Sequence, residues 1–261
     1  TLVWINIFVF KKSTMQFIEY DPTFGKEIVM KTTIRAIVLA CTTLASASAL
    51  ANISVNVGAI HVAPNDSSTS LNTVETLARL PAGSTSVGVN SNTQLGLTID
   101  YKINQNWTVE LIAATPFSHD IKVVGSAIDG LDVGNTKHLP PTLLAQYHFD
   151  SGNSNFVPFV GLGLNYTKFF DTSASQTLEN TLRTLANAPT AEVDLTLDDS
   201  FGLAMQAGFN YKIDNNWGVH FMISKMDIDT EANVTINGAS AQKVDVQIDP
   251  VVVMLGVRWS I

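Results

Sequence analysis

Histidine, serine and aspartate are the residue types in this chain that could carry out chemistry. Ser118, His119 and Asp120 are consecutive, and His138 follows in the same region. Together these types can supply a nucleophile, a general base and an orienting acid, as in hydrolases and acyltransferases. No G-x-S-x-G motif accompanies them, and solvated polar groups at a rim are the ordinary alternative. We therefore predict no catalytic residue and expect that the chain is not an enzyme.

Metal-ligating patterns are weak. The histidines are scattered along the chain, at His61, His119, His138, His148 and His220. No pair has the spacing of a zinc protease, and the single cysteine is Cys41. Acidic residues group at Asp198 and Asp199, Asp227 and Asp229, and Asp245 and Asp249. They could hold divalent cations that bridge lipopolysaccharide, or they could simply be solvated; we predict no metal site and no cofactor.

Charge and composition restrict the class of protein. The formal net charge is −8, which argues against a nucleic-acid partner because such a partner needs a basic face. Hydrophobic residues make up 46% of the chain and charged residues only 15%. Yet no run of about 18 apolar residues follows residue 51. A membrane protein without spanning helices must be a closed β-barrel, because lipid satisfies no backbone polar group.

The segment 30–51 has the three parts of a secretory signal peptide. Lys31 and Arg35 precede the short apolar core AIVLACTTL, and ASASALA ends in a small-x-small site. We predict cleavage between Ala51 and Asn52, which leaves an exported chain, 52–261, without cysteine; a short N-terminal anchor is the alternative. Residues 1–29 have no expected role before a signal peptide, and we interpret them as an extension from a gene start placed too far upstream.

Period-2 alternation recurs through the exported chain and predicts strands with one apolar face. In the segment 201–213 (FGLAMQAGFNYKI), large apolar residues alternate with small or polar ones. Thirteen residues suit a tilted membrane strand better than a soluble one. We predict eight antiparallel strands of a transmembrane β-barrel, at about 53–63, 93–103, 107–116, 138–149, 156–170, 197–213, 217–229 and 244–261.

The predicted connections alternate between short and long. Three tight turns, at 104–106, 150–155 and 214–216, contrast with long loops at 64–92, 117–137, 171–196 and 230–243. Short periplasmic turns and long extracellular loops are typical of outer-membrane barrels. The spacing of leucines in 176–186 predicts a short amphipathic helix beside the rim, with a solvated loop as the alternative.

Aromatic residues flank the short turns, where an interfacial girdle is expected. They are Tyr101, Trp107, Tyr147, Phe149, Phe156, Tyr211, Trp217 and Trp259. The alternative is that they are ordinary aromatic residues at strand ends. Eight such positions on one side of the predicted barrel favour the girdle over this alternative.

Five segments resemble the OmpW family of outer-membrane proteins, which includes alkane-uptake barrels of the AlkL type. They are AIHVAPNDSS, ELIAATPFSHDI, KHLPPTLLAQYHF, PFVGLGLNYTKFF and DDSFGLAMQAGFNYKIDNNW. The resemblance implies an eight-stranded barrel with a narrow apolar lumen that passes small hydrophobic molecules. Family barrels usually end in an aromatic residue that the barrel assembly machinery reads; here Trp259 precedes Ser260 and Ile261. The resemblance also leaves room for phage or bacteriocin binding at the loops.

An eight-stranded barrel is wide enough only for its own side chains or one small ligand. We therefore predict a passive route for small hydrophobic solutes, lined by residues in the inward phase: Ile60, Val62, Ile112 and Leu144. Pro116, Pro140 and Pro141 fall on two neighbouring strands, and proline removes ladder hydrogen bonds. They predict a lateral opening into lipid, or they only end the two strands. A plugged structural, receptor-like or stress-response barrel is the main rival, and a rim enzyme the lesser one.

Overall fold

The computed structural model describes residues 52–185 and 187–261. The predicted extension 1–29, the signal peptide 30–51 and its cleavage position at Ala51 lie outside the described residues. Among the described residues, no helix combines the length and the apolar character needed to cross a membrane.

The elements follow one another in this order along the chain. The first half contains β1 (Ile53–Ala63), β2 (Ser67–Ser68), α1 (Asn72–Ala78), β3 (Ser86–Val89), β4 (Asn92–Lys102), β5 (Trp107–Ala114), β6 (Phe117–Val124), β7 (Asp132–Leu139) and β8 (Thr142–His148). The second half contains β9 (Phe156–Ala174), α2 (Gln176–Leu185), β10 (Val193–Leu197), β11 (Ser200–Lys212), β12 (Trp217–Met226), β13 (Asp229–Ile236), β14 (Ala239–Gln247) and β15 (Val251–Ser260).

Eight antiparallel strands close into a barrel, as the sequence predicts. Their order is β1–β4–β5–β8–β9–β11–β12–β15, and β15 pairs again with β1. Closure leaves none of these strands at a free edge, which is the condition for a sheet to stand in lipid.

The polarity of the two faces of the barrel strands is reversed relative to a water-soluble protein: apolar side chains face outward and polar ones face inward. Large apolar side chains such as Leu162 and Phe201 are 62% and 69% exposed. Polar residues of the intervening positions, such as Asn165 and Gln206, are buried inside. An apolar band of this extent is stable only against lipid, which confirms the interpretation of the period-2 alternation.

The predicted short turns and long outer connections are confirmed, but the long connections contain strands that the sequence-based prediction did not include. β6 and β7 form a hairpin above the barrel, and β13 and β14 form another. The outer extension consists of these hairpins together with β2, β3, β10 and the end of β9.

The predicted fourth strand, 138–149, is two strands separated by Pro140 and Pro141, because proline cannot donate to the ladder. The predicted strand 244–261 is likewise two strands, β14 and β15, with Pro250 between them. The helix predicted for 176–186 is confirmed as α2.

Three glycines lie side by side across β4, β1 and β15. Gly58 is the register partner of both Gly96 and Gly256. A Cβ atom on Gly58 would lie 2.0 Å from the backbone oxygen of Leu255. The three strands therefore approach one another here more closely than any side chain would allow.

Candidate functional site

An apolar pocket lies where the barrel meets the outer extension, and we call it the outer pocket. It measures about 560 Å³ including its mouth to solvent. Strands of both the barrel and the extension form its wall, with Val62, Ile121, Phe169, Ile228 and Ile248 among the lining residues. No charged side chain belongs to the wall. A pocket with this lining suits a small hydrophobic molecule.

Two histidines project into this apolar setting from β6 and β7. His119 is 2% exposed and His138 is buried beside it, with ring centroids 4.9 Å apart. Phe117 extends the stack, its ring centroid 5.3 Å from that of His138. The expectation that these histidines are solvated rim residues is therefore wrong. The two histidines were not predicted as residues of a pocket, because the alternation in Phe117–Val124 was assigned to a loop.

The geometry does not support a hydrolase. Ser118 and Asp120 lie on the opposite face of β6 from His119, as successive strand residues must. The Ser118 hydroxyl bonds Asn135 Oδ1 at 3.2 Å, and Asn135 donates to Asp120 at 3.0 Å. His119 Nδ1 is instead 2.5 Å from the carbonyl oxygen of Asn90. The serine–histidine–aspartate arrangement considered from the sequence is not formed.

Both histidines of the outer pocket are neutral at pH 7. They stand above the apolar band, because the outward face of the hairpin carries Lys122 and Lys137. Burial lowers the pKa of the His119 imidazole, although its bond to Asn90 opposes this shift. Burial, and then the neighbouring His119, lowers the pKa of His138 to about 3.

Below the outer pocket, apolar side chains fill the barrel. Ile60, Ile112 and Leu144 lie in this packed layer together with Met222 and Met254, each at most 2% exposed. Of the four residues predicted to line a passage, only Val62 lines the outer pocket. The other three occupy the barrel interior beneath it.

A hydrogen-bonded polar layer fills the periplasmic half of the barrel. Arg258 forms an ion pair with Asp100 and donates to Asn56 Oδ1 at 3.1 Å. Gln206 donates to Glu110 Oε2 at 2.7 Å. Further bonds of 2.9 Å and 2.8 Å join Gln146 to Gln206 and His220 to Asn210. This layer closes the barrel to an apolar solute, since entry would break bonds to buried charges.

The barrel wall has a gap beside the outer pocket. The ladder between β5 and β8 ends at Ile112 and Thr142, and the ladder between β6 and β7 starts at Phe117 and His138. In the described ladders no pair joins residues 113–116 to residues 139–141. These stretches contain Pro116, Pro140 and Pro141. His138, at the upper margin of the gap, also lines the outer pocket.

The gap opens at the level of the apolar band. Tyr166 donates its backbone N–H to the Pro141 carbonyl at 3.1 Å, and its ring is 44% exposed. Leu143, one strand position away from Thr142, is 54% exposed. On the other side, Ala113 and Ala114 carry only methyl groups. The residues around the gap therefore include side chains of the exposed apolar band.

The eight aromatic residues that flank the short turns all face outward. They lie at the turn-side ends of the strands or just beyond them, and their side chains are 36–51% exposed. They are Tyr101, Trp107, Tyr147, Phe149, Phe156, Tyr211, Trp217 and Trp259. Trp107 and Tyr147 meet edge to face, with centroids 5.2 Å apart. This ring of aromatics stands at the boundary where an interfacial girdle is expected.

Three of the acidic residues come together at the outer side. Carboxylate oxygens of Asp227, Asp229 and Asp249 lie within 4.8 Å of one another. Asp199 has a different role, because it accepts hydrogen bonds from the Tyr166 hydroxyl at 2.7 Å and the Phe169 backbone at 3.1 Å. Burial, then Asp227 and Asp249, raises the pKa of Asp229.

Comparison with known proteins places this architecture among outer-membrane barrels. The model of the OmpW family matches residues 51–261. Outer membrane protein W of Vibrio cholerae is 44% identical over 203 residues, which cover 77% of this chain and 84% of that protein. Outer membrane protein W of Escherichia coli is 42% identical over 171 residues, which cover 66% and 74%.

Solved structures agree with the sequence relatives. The crystal structure of OprG from Pseudomonas aeruginosa superposes with a TM-score of 0.66 at 36% identity, over 79% of this chain and 94% of that one. AlkL in lipid bilayers superposes with a TM-score of 0.56 at 19% identity, over 79% and 89%, and shares the fold.

Proposed function

The chain belongs to the OmpW family of outer-membrane proteins, and from this premise we propose that it is a passive route for small hydrophobic molecules. The solute enters the outer pocket from outside and leaves sideways into lipid through the gap between β5–β6 and β7–β8. The observation that carries this proposal is the position of His138, which borders both the outer pocket and the gap.

The chemistry of the outer pocket supports a hydrophobic cargo. Its wall is almost entirely apolar, so a hydrocarbon gains about 25 cal/mol for each Å² that it removes from water. The outer pocket lies outside the polar layer, so the solute needs no contact with Asp100 or Arg258. No step consumes energy, because the solute moves down its own gradient from water to lipid.

The closed barrel supports a sideways exit over an axial one. A straight passage would displace the packed side chains of Leu144 and Met254 and then break the bonds of Glu110 and Asp100. The gap requires neither, because no pair of the described ladders joins residues 113–116 to residues 139–141 across it. The prolines support the opening, since they cannot restore the missing hydrogen bonds.

One observation favours a second function. The packed layer and the polar layer leave no open lumen among the described residues, which suits a structural or receptor-like barrel. In that case the outer pocket is a packing defect and the gap only marks the ends of strands. The two functions differ in whether the protein changes the rate of solute entry.

The test is the uptake of a naphthalene-type fluorescent probe whose emission rises in lipid. Cells with the wild-type barrel are compared with cells carrying Ala113→Trp, at equal abundance in the outer membrane. Ala113 shares the outward phase of β5 with Trp107 and Leu111, so the added ring covers the lipid side of the gap. Ala145→Trp is the matched control, because Ala145 faces lipid on β8 away from the gap. We expect wild type and Ala145→Trp to accelerate uptake, and Ala113→Trp to remove most of the acceleration.

Each other outcome has a clear meaning. If the wild-type barrel does not accelerate uptake, the route does not exist for this class of solute and the structural barrel is the better account. If Ala113→Trp transports as well as wild type, the sideways exit is wrong although the route remains.

A further inference from the structure

His119 presents an unused hydrogen-bond acceptor in the wall of the outer pocket. Its Nδ1 is 2.5 Å from the carbonyl oxygen of Asn90, and a carbonyl can only accept. Nδ1 therefore carries the proton. In a neutral imidazole the second nitrogen, Nε2 at the tip of the ring, then has a free lone pair. Within the described residues His119 Nε2 is buried and has no partner.

His138 adds a second unused polar group next to the first. Neither of its ring nitrogens has a hydrogen-bond partner among the described residues, and its ring lies parallel to that of His119 with centroids 4.9 Å apart. A neutral imidazole has one N–H donor and one acceptor. The two stacked rings thus place an acceptor on His119 and a donor on His138 side by side in the wall of the outer pocket.

The other polar side chains of the outer pocket are already satisfied. Thr136 Oγ1 bonds Thr172 Oγ1 at 2.8 Å. Thr230 Oγ1 donates to the Asp198 carbonyl at 2.7 Å, and Thr167 Oγ1 donates to Asn165 Oδ1 at 2.7 Å. The two histidines therefore hold the free hydrogen-bonding capacity of the wall. An unpaired buried acceptor is costly, so the wall is complete only with a donor from a ligand.

We propose that the outer pocket selects hydrophobic molecules that carry one hydroxyl group, such as phenols and medium-length alcohols. The hydroxyl donates to His119 Nε2 and accepts from the N–H of His138. A hydrocarbon leaves both nitrogens unpaired, and an ether or ketone cannot donate to His119. A carboxylate is disfavoured, because the wall has no cation to pair with it. This inference rests on the proposed function and narrows its substrate class.

Aromatic alcohols fit the setting best. The rings of Phe117 and Phe169 flank His138, at centroid distances of 5.3 Å and 5.7 Å. Phe117 is fully buried and packs on His138, whereas Phe169 lines the outer pocket, so an aromatic ligand can pack against the Phe169 ring while its hydroxyl meets the histidines. The ligand thereby replaces no existing hydrogen bond of the protein.

The test is binding of three naphthalenes to the full barrel in lipid nanodiscs, followed by their intrinsic fluorescence, with empty nanodiscs as the correction for partitioning. 2-Naphthol donates and accepts, 2-methoxynaphthalene only accepts, and 2-methylnaphthalene does neither. We expect wild type to bind 2-naphthol about five- to tenfold more tightly than 2-methoxynaphthalene, the gain from the one hydrogen bond to His119 that the ether cannot make. His119→Phe should remove this preference over the ether while 2-methylnaphthalene still binds.

His61→Phe is the matched control, because His61 is exposed and bonds Thr93 away from the outer pocket. It should keep the wild-type preference. Equal affinity for the three ligands in wild type, a preference that survives His119→Phe, or no specific binding at all overturns the inference. The uptake assay with Ala113→Trp decides the proposed function separately, so a barrel that accelerates uptake without a preference for hydroxyls keeps the route and loses the selectivity.

Discussion

Asp100 on β4 and Arg258 on β15 form an ion pair across the intervening strand β1, inside the barrel. Asn56 of β1 bonds both partners, donating to Asp100 at 3.3 Å and accepting from Arg258 at 3.1 Å. Asp100 is 1% exposed at its side chain and Arg258 is 15% exposed. The ion pair and its hydrogen bonds to Asn56 therefore connect the three strands β4, β1 and β15, where the barrel closes.

Replacement of Arg258 by leucine is expected to destabilise the barrel. The change leaves the Asp100 carboxylate buried without its counter-charge, and breaking a buried pair in this way costs about 3–5 kcal/mol. Urea unfolding in detergent micelles measures the loss. Lys102→Leu is the control, because Lys102 is exposed at the end of β4. Equal midpoints for the two variants would show that the ion pair does not hold the closure.

Replacement of Gly58 by valine is expected to prevent closure. A Cβ atom at this position would lie 2.0 Å from the Leu255 backbone oxygen and 2.3 Å from the Cα of Gly256. The backbone cannot yield without separating β1 from β15. The measurement is the fraction of heat-modifiable, folded protein in the outer membrane. Ala59→Val, which adds the same side chain at the next position on the exposed face of β1, should fold normally; folded Gly58→Val at the wild-type level would refute the close approach.

Acid is expected to loosen α1 through Glu75. The Thr85 hydroxyl, at 2.7 Å, and the N–H groups of Gly83 and Thr85 bond the Glu75 carboxylate and lower its pKa below 4.5. A lowered pKa means that the stabilisation is present above the pKa of the unfolded chain and is lost as the pH falls through the lower folded value. The ¹³C shift of the carboxyl group reports this titration.

Thr85→Val should move the Glu75 titration towards higher pH, because it removes the largest cause of the shift. Thr76→Val is the matched control, since the Thr76 hydroxyl bonds only the Asn72 carbonyl within α1. A Glu75 midpoint of 4.5 or above in wild type would contradict the prediction.

Uptake is expected to be constant from pH 8 to pH 7. Burial lowers the pKa of His119 below its ordinary value, and lowers that of His138 to about 3, so both rings are mainly neutral in this range. Below about pH 6.5 the unfolded chain binds protons that the buried rings do not, so their contribution to stability falls with the pH. The double variant His119→Phe, His138→Phe should lose less stability in acid; a rate that changes between pH 7 and 8 would contradict the assignment of neutral rings.

The barrel follows directly from the sequence, but the outer extension does not. Alternation in Ser200–Lys212 identifies a strand because one face is consistently apolar. Phe117–Val124 alternates equally well, with Phe117 and Ile121 inward and Lys122 outward. Its apolar face turns towards a pocket, and its polar face towards water rather than towards other strands. Assigning residues 117–137 to a loop therefore missed a strand that the alternation in Phe117–Val124 indicates.

The candidate site was predictable in part. The prolines pointed to the stretch where the β5–β8 and β6–β7 ladders are interrupted, since their missing N–H groups are a property of the residue type. The partners of His119 and His138 could not be inferred, because the pairing of β6 with β7 brings together residues 19 positions apart. The filled interior was also hidden, since strand phase shows which residues face inward but not how tightly they pack.

Alternation of lipid-facing and inward-facing side chains also matters before the barrel exists. In an extended chain, small and polar residues such as Gly202, Gln206 and Asn210 separate the side chains that later meet lipid. Each strand is thus too dilute in apolar residues to be retained as a helix by the inner membrane during export. The same spacing that gives the folded barrel an apolar outer face therefore lets the unfolded chain cross the inner membrane and insert only into the outer membrane.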